Sequence, residues 1–154
     1  MALSQGDSVP HFNLEDQEGI TFDIDQLLGK KPFVVYFYPK DFTPGCTKEA
    51  CSFRDSYQDF KDMGAEVIGI SSDSAKSHGR FAKKHDLPFI LLADPSGEMR
   101  KKFQVKSELF GLLPGRETFV FDKNGKLIMK YNNLKSSSHT KKALQTIKNL
   151  KNDN

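Results

Sequence analysis

The 154-residue chain has no tryptophan, only two cysteines, and no apolar run near the roughly 20 residues that cross a bilayer. Each shortage excludes something. Two thiols are too few for a four-ligand structural zinc site, and His11, His78, His85 and His139 are scattered without ligand spacing. No metal is therefore expected, and each histidine reads as a surface or packing residue. The net charge is only +3, and no Lys/Arg face with interleaved aromatics appears, so nucleic acid is not an expected partner. The most basic stretch, Lys130 to Lys151, reads as a solvated helix face. The opening "MALSQGDSVPHF" lacks the basic start and apolar stretch of a signal peptide. These features give the expectation of a soluble, cytoplasmic protein with no membrane partner.

What is present suits one compact unit. The hydrophobic content of 37% is enough for a single core, with thirteen Phe doing much of the packing. No repeat, low-complexity tract or linker-like break divides the chain, so residues 1–154 are expected to form one domain. "KKPFVVYFYP" holds a β-branched and aromatic run, residues 33–38, too short for a helix and stopped by Pro39. "GAEVIGISS", "LPFILLAD" and "ETFVFD" read as further strands, and the last turns at "KNG" into "KLIMKY" as a hairpin. Helical patterns are predicted at about residues 45–62, 74–85, 96–103 and 137–150. The alternation implies βαβ crossovers, then a hairpin and a closing helix: an α/β fold with a central mixed sheet flanked by helices.

Both cysteines lie in "FTPGCTKEAC", residues 42–51. In the helix that comes after Pro39, Thr43 is the expected N-cap and Pro44 falls at the first helical position, where proline is best tolerated. Cys46 then sits in the first turn, where unpaired N–H groups and the helix dipole favour a thiolate that is anionic and accessible. Cys46, Ala50, Phe53, Tyr57 and Phe60 make one core-facing stripe, with Cys51 about one position off it. Five helical residues rise about 7.5 Å, which sets the two Cα atoms about 8 to 9 Å apart. A disulfide spans at most about 7 Å. Two readings stay open on the residues alone, inert buried thiols or redox work. Under the second, a sulfenic acid at Cys46 condenses with Cys51 only if the first turn or two unravels.

"YPKDFTPGCTKEACSFRD", residues 38–55, resembles the peroxiredoxin family, and the cysteine interval resembles its peroxiredoxin Q branch, also called bacterioferritin comigratory protein. "GDSVPHFNLEDQEG", "VIGISSDS", "HDLPFILLADPSG" and "GRETFVFDKNGK" extend the likeness over nearly the whole chain. The resemblance implies a thioredoxin-like fold and a thiol peroxidase that needs no cofactor. In it Cys46 is the peroxidatic nucleophile, Cys51 the resolving cysteine, Pro39 the shield of the site, Thr43 the hydroxyl against sulfur and peroxide, and Arg116 a distant guanidinium returning to the pocket. It further implies a hydroperoxide substrate, thioredoxin or a similar dithiol as reductant, and a monomer. Phe42 stands where many relatives carry a polar residue, which gives the pocket a more apolar mouth and an expected preference for organic hydroperoxides. The alternative is a non-enzymatic redox sensor built on the same pair, which would not need the full set of Pro39, Thr43, Cys46 and Arg116. "NNLKSSSHTKK" matches the family poorly and is assigned no function.

Overall fold

The computed structural model describes residues 3–105, 116–132 and 136–152, with the side chains of 136, 137, 151 and 152 left aside. Residues 133–135 of the unassigned segment lie outside them. Among the described residues a five-stranded sheet has the order β5-β4-β3-β6-β7. Its strands are β3 (Phe33–Phe37), β4 (Glu66–Ser71), β5 (Ile90–Ala93), β6 (Glu117–Phe121) and β7 (Leu127–Asn132). The β3–β4 and β4–β5 pairs are parallel, bridged by helices α1 (Pro44–Asp62) and α2 (Ala75–His85). β6 runs antiparallel to both β3 and β7, and the short helix α3 (Glu98–Lys102) and the long α4 (Ser136–Asn152) complete the set. The expected mixed sheet with helices on both sides is what the chain forms.

Two short strands were not expected: β1 (Asn13–Glu15) and β2 (Thr21–Asp23), paired antiparallel and succeeded by a 3-10 turn at Ile24–Gln26. Three-residue segments such as "NLE" and "TFD" carry too little alternation to announce themselves. The "KNG" turn is present as read. Asp122 accepts from Asn124 N at 2.9 Å and Lys126 N at 3.0 Å, and Gly125 takes the φ of +80° that closes it.

Because strand side chains alternate, β3 feeds two cores. Phe33, Val35 and Phe37 join Phe119, Phe121, Phe103 and Met99 on one face, beneath α3 and the β1–β2 ribbon. Val34, Tyr36 and Tyr38 join Cys46, Phe53, Phe60, Phe81 and Ile147 on the other, beneath α1, α2 and α4. Gly69 allows the second core to close: a Cβ there would lie 2.8 Å from the Tyr36 ring and 2.9 Å from Leu91. The functional consequence is placement. β3 ends at Phe37, and the loop from Tyr38 to Thr43 delivers the chain straight into the first turn of α1.

Candidate active site

Four of the five expected site residues, Pro39, Thr43, Cys46 and Cys51, lie on that loop and the first two turns of α1. Arg116 arrives from the residue just before β6. Its Nη2 donates to Cys46 Sγ at 3.4 Å. Gly45 makes room for this approach, since a Cβ there would stand 3.1 Å from the same nitrogen. Cys46 is 1% exposed, more covered than the accessible thiol expected, whereas Cys51 is half-buried; both are free thiols. α1 is continuous through both positions, so the pair is held at helical spacing, beyond the reach of a disulfide.

Thr43 occupies the N-cap position, with φ −78° and ψ 150°, but its side chain does not cap. A hydroxyl has one proton, and Oγ1 gives it to Lys40 O at 2.8 Å. The expected capping hydrogen bond is therefore absent, and the oxygen's lone pairs remain as acceptors. Pro39 is half-buried at the entrance to the loop. Phe42 is 45% exposed with its ring 5.1 Å from that of Phe81, and its φ is +66°, an unusual value for a bulky residue.

Sequence reasoning missed Glu49. It is fully buried on α1 and accepts a very short hydrogen bond at Oε1 from Arg116 Nη1. Among the described residues its Oε2 has no hydrogen-bond partner; it lies 3.6 Å from Nδ1 of buried His139, which also contacts Thr118 Oγ1 at 2.7 Å. Burial pushes the Glu49 carboxyl up to about 8, against the opposing pull of Arg116. For Arg116, burial alone would lower its pKa, but Glu49 and the Cys46 sulfur raise it above its ordinary value. The guanidinium thus stays charged beside the sulfur, an environment that favours a thiolate.

Arg100 was also missed. It donates to Tyr38 O at 2.9 Å and lies over the Phe37 ring at 5.7 Å, while burial lowers its pKa against the pull of Asp94, Cys46 and Glu117. Of the four histidines read as surface or packing residues, two are of the packing kind. His78 and His139 are 0% exposed and engaged in buried hydrogen bonds. A signal existed for three of the missed residues. Glu49 lies three positions after Cys46, His78 three before Phe81, and His139 four before Ala143, each on a buried stripe.

Comparison with known proteins bears on this arrangement. Residues 5–130 match the AhpC/TSA family. The chain is 53% identical to a chloroplastic peroxiredoxin Q of Sedum lineare over 97% of its own length and 80% of that protein's. It is 52% identical to one of Triticum aestivum over 96% and 68%. Among solved structures, peroxidoxin BcpB of Mycobacterium tuberculosis superposes with a TM-score of 0.88 at 37% identity, covering 96% of this chain and 98% of that one. A bacterioferritin comigratory protein of Xanthomonas campestris, described by its alkyl peroxide reduction activity, gives 0.84 at 29%, covering 91% and 92%. One expectation is overturned. The curated relatives are named chloroplastic, which points to a plastid rather than the cytoplasm. The cytoplasmic reading rested on the composition and the opening residues, and neither reports the compartment in which a folded domain works.

Proposed function

The chain belongs to the AhpC/TSA family, in its peroxiredoxin Q branch, and is a thiol peroxidase with a thioredoxin-like fold; from that premise we propose the roles of its residues and the course of its reaction. Cys46 is the peroxidatic nucleophile. Its thiolate attacks one peroxide oxygen, a sulfur–oxygen bond forms as the O–O bond breaks, and the other oxygen leaves with a proton as water or alcohol. Cys46 is thereby oxidised to sulfenic acid. Arg116, 3.4 Å from Sγ, is placed to stabilise both the thiolate and the charge moving onto the departing oxygen. Thr43, its own proton committed to Lys40, offers lone pairs to the peroxide O–H. Pro39 screens the loop side of the sulfur.

Cys51 then attacks the Cys46 sulfur, an S–S bond forms and water departs. Helical spacing forbids this while α1 is intact, so the first turns unwind, and the opened segment exposes the disulfide to a dithiol reductant. Thioredoxin is the proposed reductant, which returns two thiols and leaves as its own disulfide. The protein acts as a monomer and a single domain. The half-exposed Phe42 ring beside Thr43 suits the carbon chain of an alkyl hydroperoxide, and the activity described for the Xanthomonas relative runs the same way.

The observation that carries this reading is Arg116 reaching the buried Cys46 sulfur from a distant strand. The test is turnover. With thioredoxin and its reductase, the protein should consume a many-fold excess of peroxide, and Cys46→Ser should not. Consumption that stops at one equivalent would favour a redox sensor instead.

A further inference from the structure

The peroxidase reaction leaves a second buried polar cluster unused, on the other flank of the catalytic loop. Asp41 is 3% exposed and His78, on α2, is 0%. Asp41 Oδ2 lies 2.7 Å from His78 Nδ1 and accepts from Ser77 Oγ at 3.0 Å. Its Oδ1 accepts from the Tyr38 hydroxyl at 2.6 Å, and that hydroxyl also lies 3.4 Å from His78 Nδ1. Burial, with Tyr36 and Asp41 adding to it, raises the Tyr38 pKa well above its ordinary value and keeps the phenol a donor. On the far side of the ring, His78 Nε2 lies 3.0 Å from Leu92 O. A carbonyl only accepts, so Nε2 carries hydrogen; Nδ1 shares a proton with a carboxylate that already takes two O–H donors. His78 therefore spans from β5 to the loop. The loop is also tied from below: Asp41 N donates to Asp73 Oδ2 at 2.8 Å, and Ser71 Oγ donates to the same oxygen at 2.7 Å.

The two residues after Asp41 give this anchoring a purpose. Phe42 comes next, held at φ +66° with its ring against Phe81 of α2, and Thr43 comes after it. A left-handed conformation at a bulky residue persists only where its surroundings over-determine it. Asp41 and Phe81 are those surroundings. Asp41, Asp73 and His78 also bring ligand atoms within 4.8 Å of one another. The hydrogen bonds just described already engage those atoms, so the cluster closes on itself without an ion.

We propose that Asp41 and His78 are positioning residues for the peroxidase reaction: their buried pair holds the Phe42–Thr43 step that sets Thr43 beside Cys46 and pins the point from which α1 unwinds. This rests on the roles proposed for Cys46 and Cys51. His78 touches no reacting atom and acts through Asp41. A satisfied buried polar pair adds little net stability over an apolar replacement, whereas it fixes geometry, and a misplacement of about 1 Å costs a reaction about a hundredfold.

Two rates separate this role from stability alone. In a Cys51→Ser background, mass spectrometry of quenched samples tracks sulfenic acid formation at Cys46 with hydrogen peroxide. His78→Gln and Asp41→Asn should each slow it about ten- to a hundredfold, and the double variant no more than the slower single, since both delete one interaction. With Cys51 present, the same variants should pass from sulfenic acid to disulfide at least as fast as the parent, because that step needs the anchored stretch to open. Less sulfinic acid should accordingly accumulate at high peroxide. Ser77→Ala, at the half-buried edge of the cluster, should show the same pair of opposite shifts at about two- to fivefold, and it serves if a His78 variant does not fold.

Ile24→Val, in the opposite core, is the control for lost stability. If it reproduces both shifts, or if the His78 and Asp41 variants react with peroxide within about twofold of the parent, the proposal is overturned. A parent protein whose Cys46 ignores peroxide would overturn this proposal and the catalytic roles together. A reactive parent with unmoved His78 rates would overturn the positioning role only.

Discussion

The two faces of the central sheet are built from alternate residues of the same strands, yet they differ in kind. The α3 face is packed with Phe33, Phe37, Phe103, Phe119 and Phe121, rings meeting stacked or edge-on at centroid distances such as 5.1 Å for Phe33–Phe121. The α1 face is also buried but includes Cys46, Glu49, Arg116, His78 and His139. Glu117, at the start of β6, is a polar exception toward the first face, as are Asp94 ahead of α3 and Arg100 within it. One face therefore stabilises the fold by removing apolar area from water. The other gives up some of that gain to keep charges where a sulfur can use them. Division of labour comes from the two-residue period of a strand: neighbouring residues such as Phe119 and Val120 belong to different faces.

Substitutions can break that contrast. Phe119→Ala on the phenylalanine face should cost about 3–5 kcal/mol of unfolding free energy, measured by denaturant titration. The peroxide reactivity of the folded fraction should not change, and a parallel loss of reactivity would dissolve the distinction between faces. Arg116→Met on the other face should leave the fold in place and lower the rate with peroxide by about 10²–10³, equivalent to roughly 3–4 kcal/mol in the barrier. Stopped-flow kinetics reads this, and an unaffected rate would remove Arg116 from the site.

Glu49 sharpens the contrast through pH. Its folded carboxyl is raised to about 8 from an ordinary 4.5, so between those values the folded state holds a proton that the unfolded state has lost. Stability from this group is complete below about 4.5 and drains away as pH rises through about 8, at up to about 1.4 kcal/mol per pH unit. Thermal unfolding across that window should show the decline, and Glu49→Gln should flatten it. The smallest effect expected is from Gly45→Ala, whose Cβ would stand 3.1 Å from Arg116 Nη2. Displacing the guanidinium slightly should slow the peroxide reaction by up to about tenfold, roughly 1.4 kcal/mol.

The same contrast governs how much could be read from the sequence. Strands β3 to β7 and the four helices among the described residues were legible because short β-branched and aromatic runs alternate with stretches of near-four-residue apolar spacing, and the chain punctuates them with Pro39, Pro44 and Gly125. The β1–β2 ribbon was not, because each strand is three residues long. Within the site, Cys46 was legible from local chemistry and Thr43 only as the position where α1 starts, while Arg116 came only from the family likeness: its partners are 67 and 70 residues away in the chain. Glu49 and the two buried histidines escaped because a charged or polar residue on a helix reads first as solvated. Their spacing from Ala143, Phe81 and Cys46 was visible, but only burial turns that spacing into chemistry.

The central claim is that Cys46 reacts alone in an intact α1, which must then open for Cys51 to reach it. One equivalent of peroxide, with peptide mapping and far-ultraviolet circular dichroism then run on the same sample, tests both halves together. The expected result is a disulfide between Cys46 and Cys51 with reduced helix content, and in Cys51→Ser a sulfenic acid on Cys46 with the helix retained. A 46–51 bridge with an unchanged helical spectrum, or oxidation that spares Cys46, would contradict it.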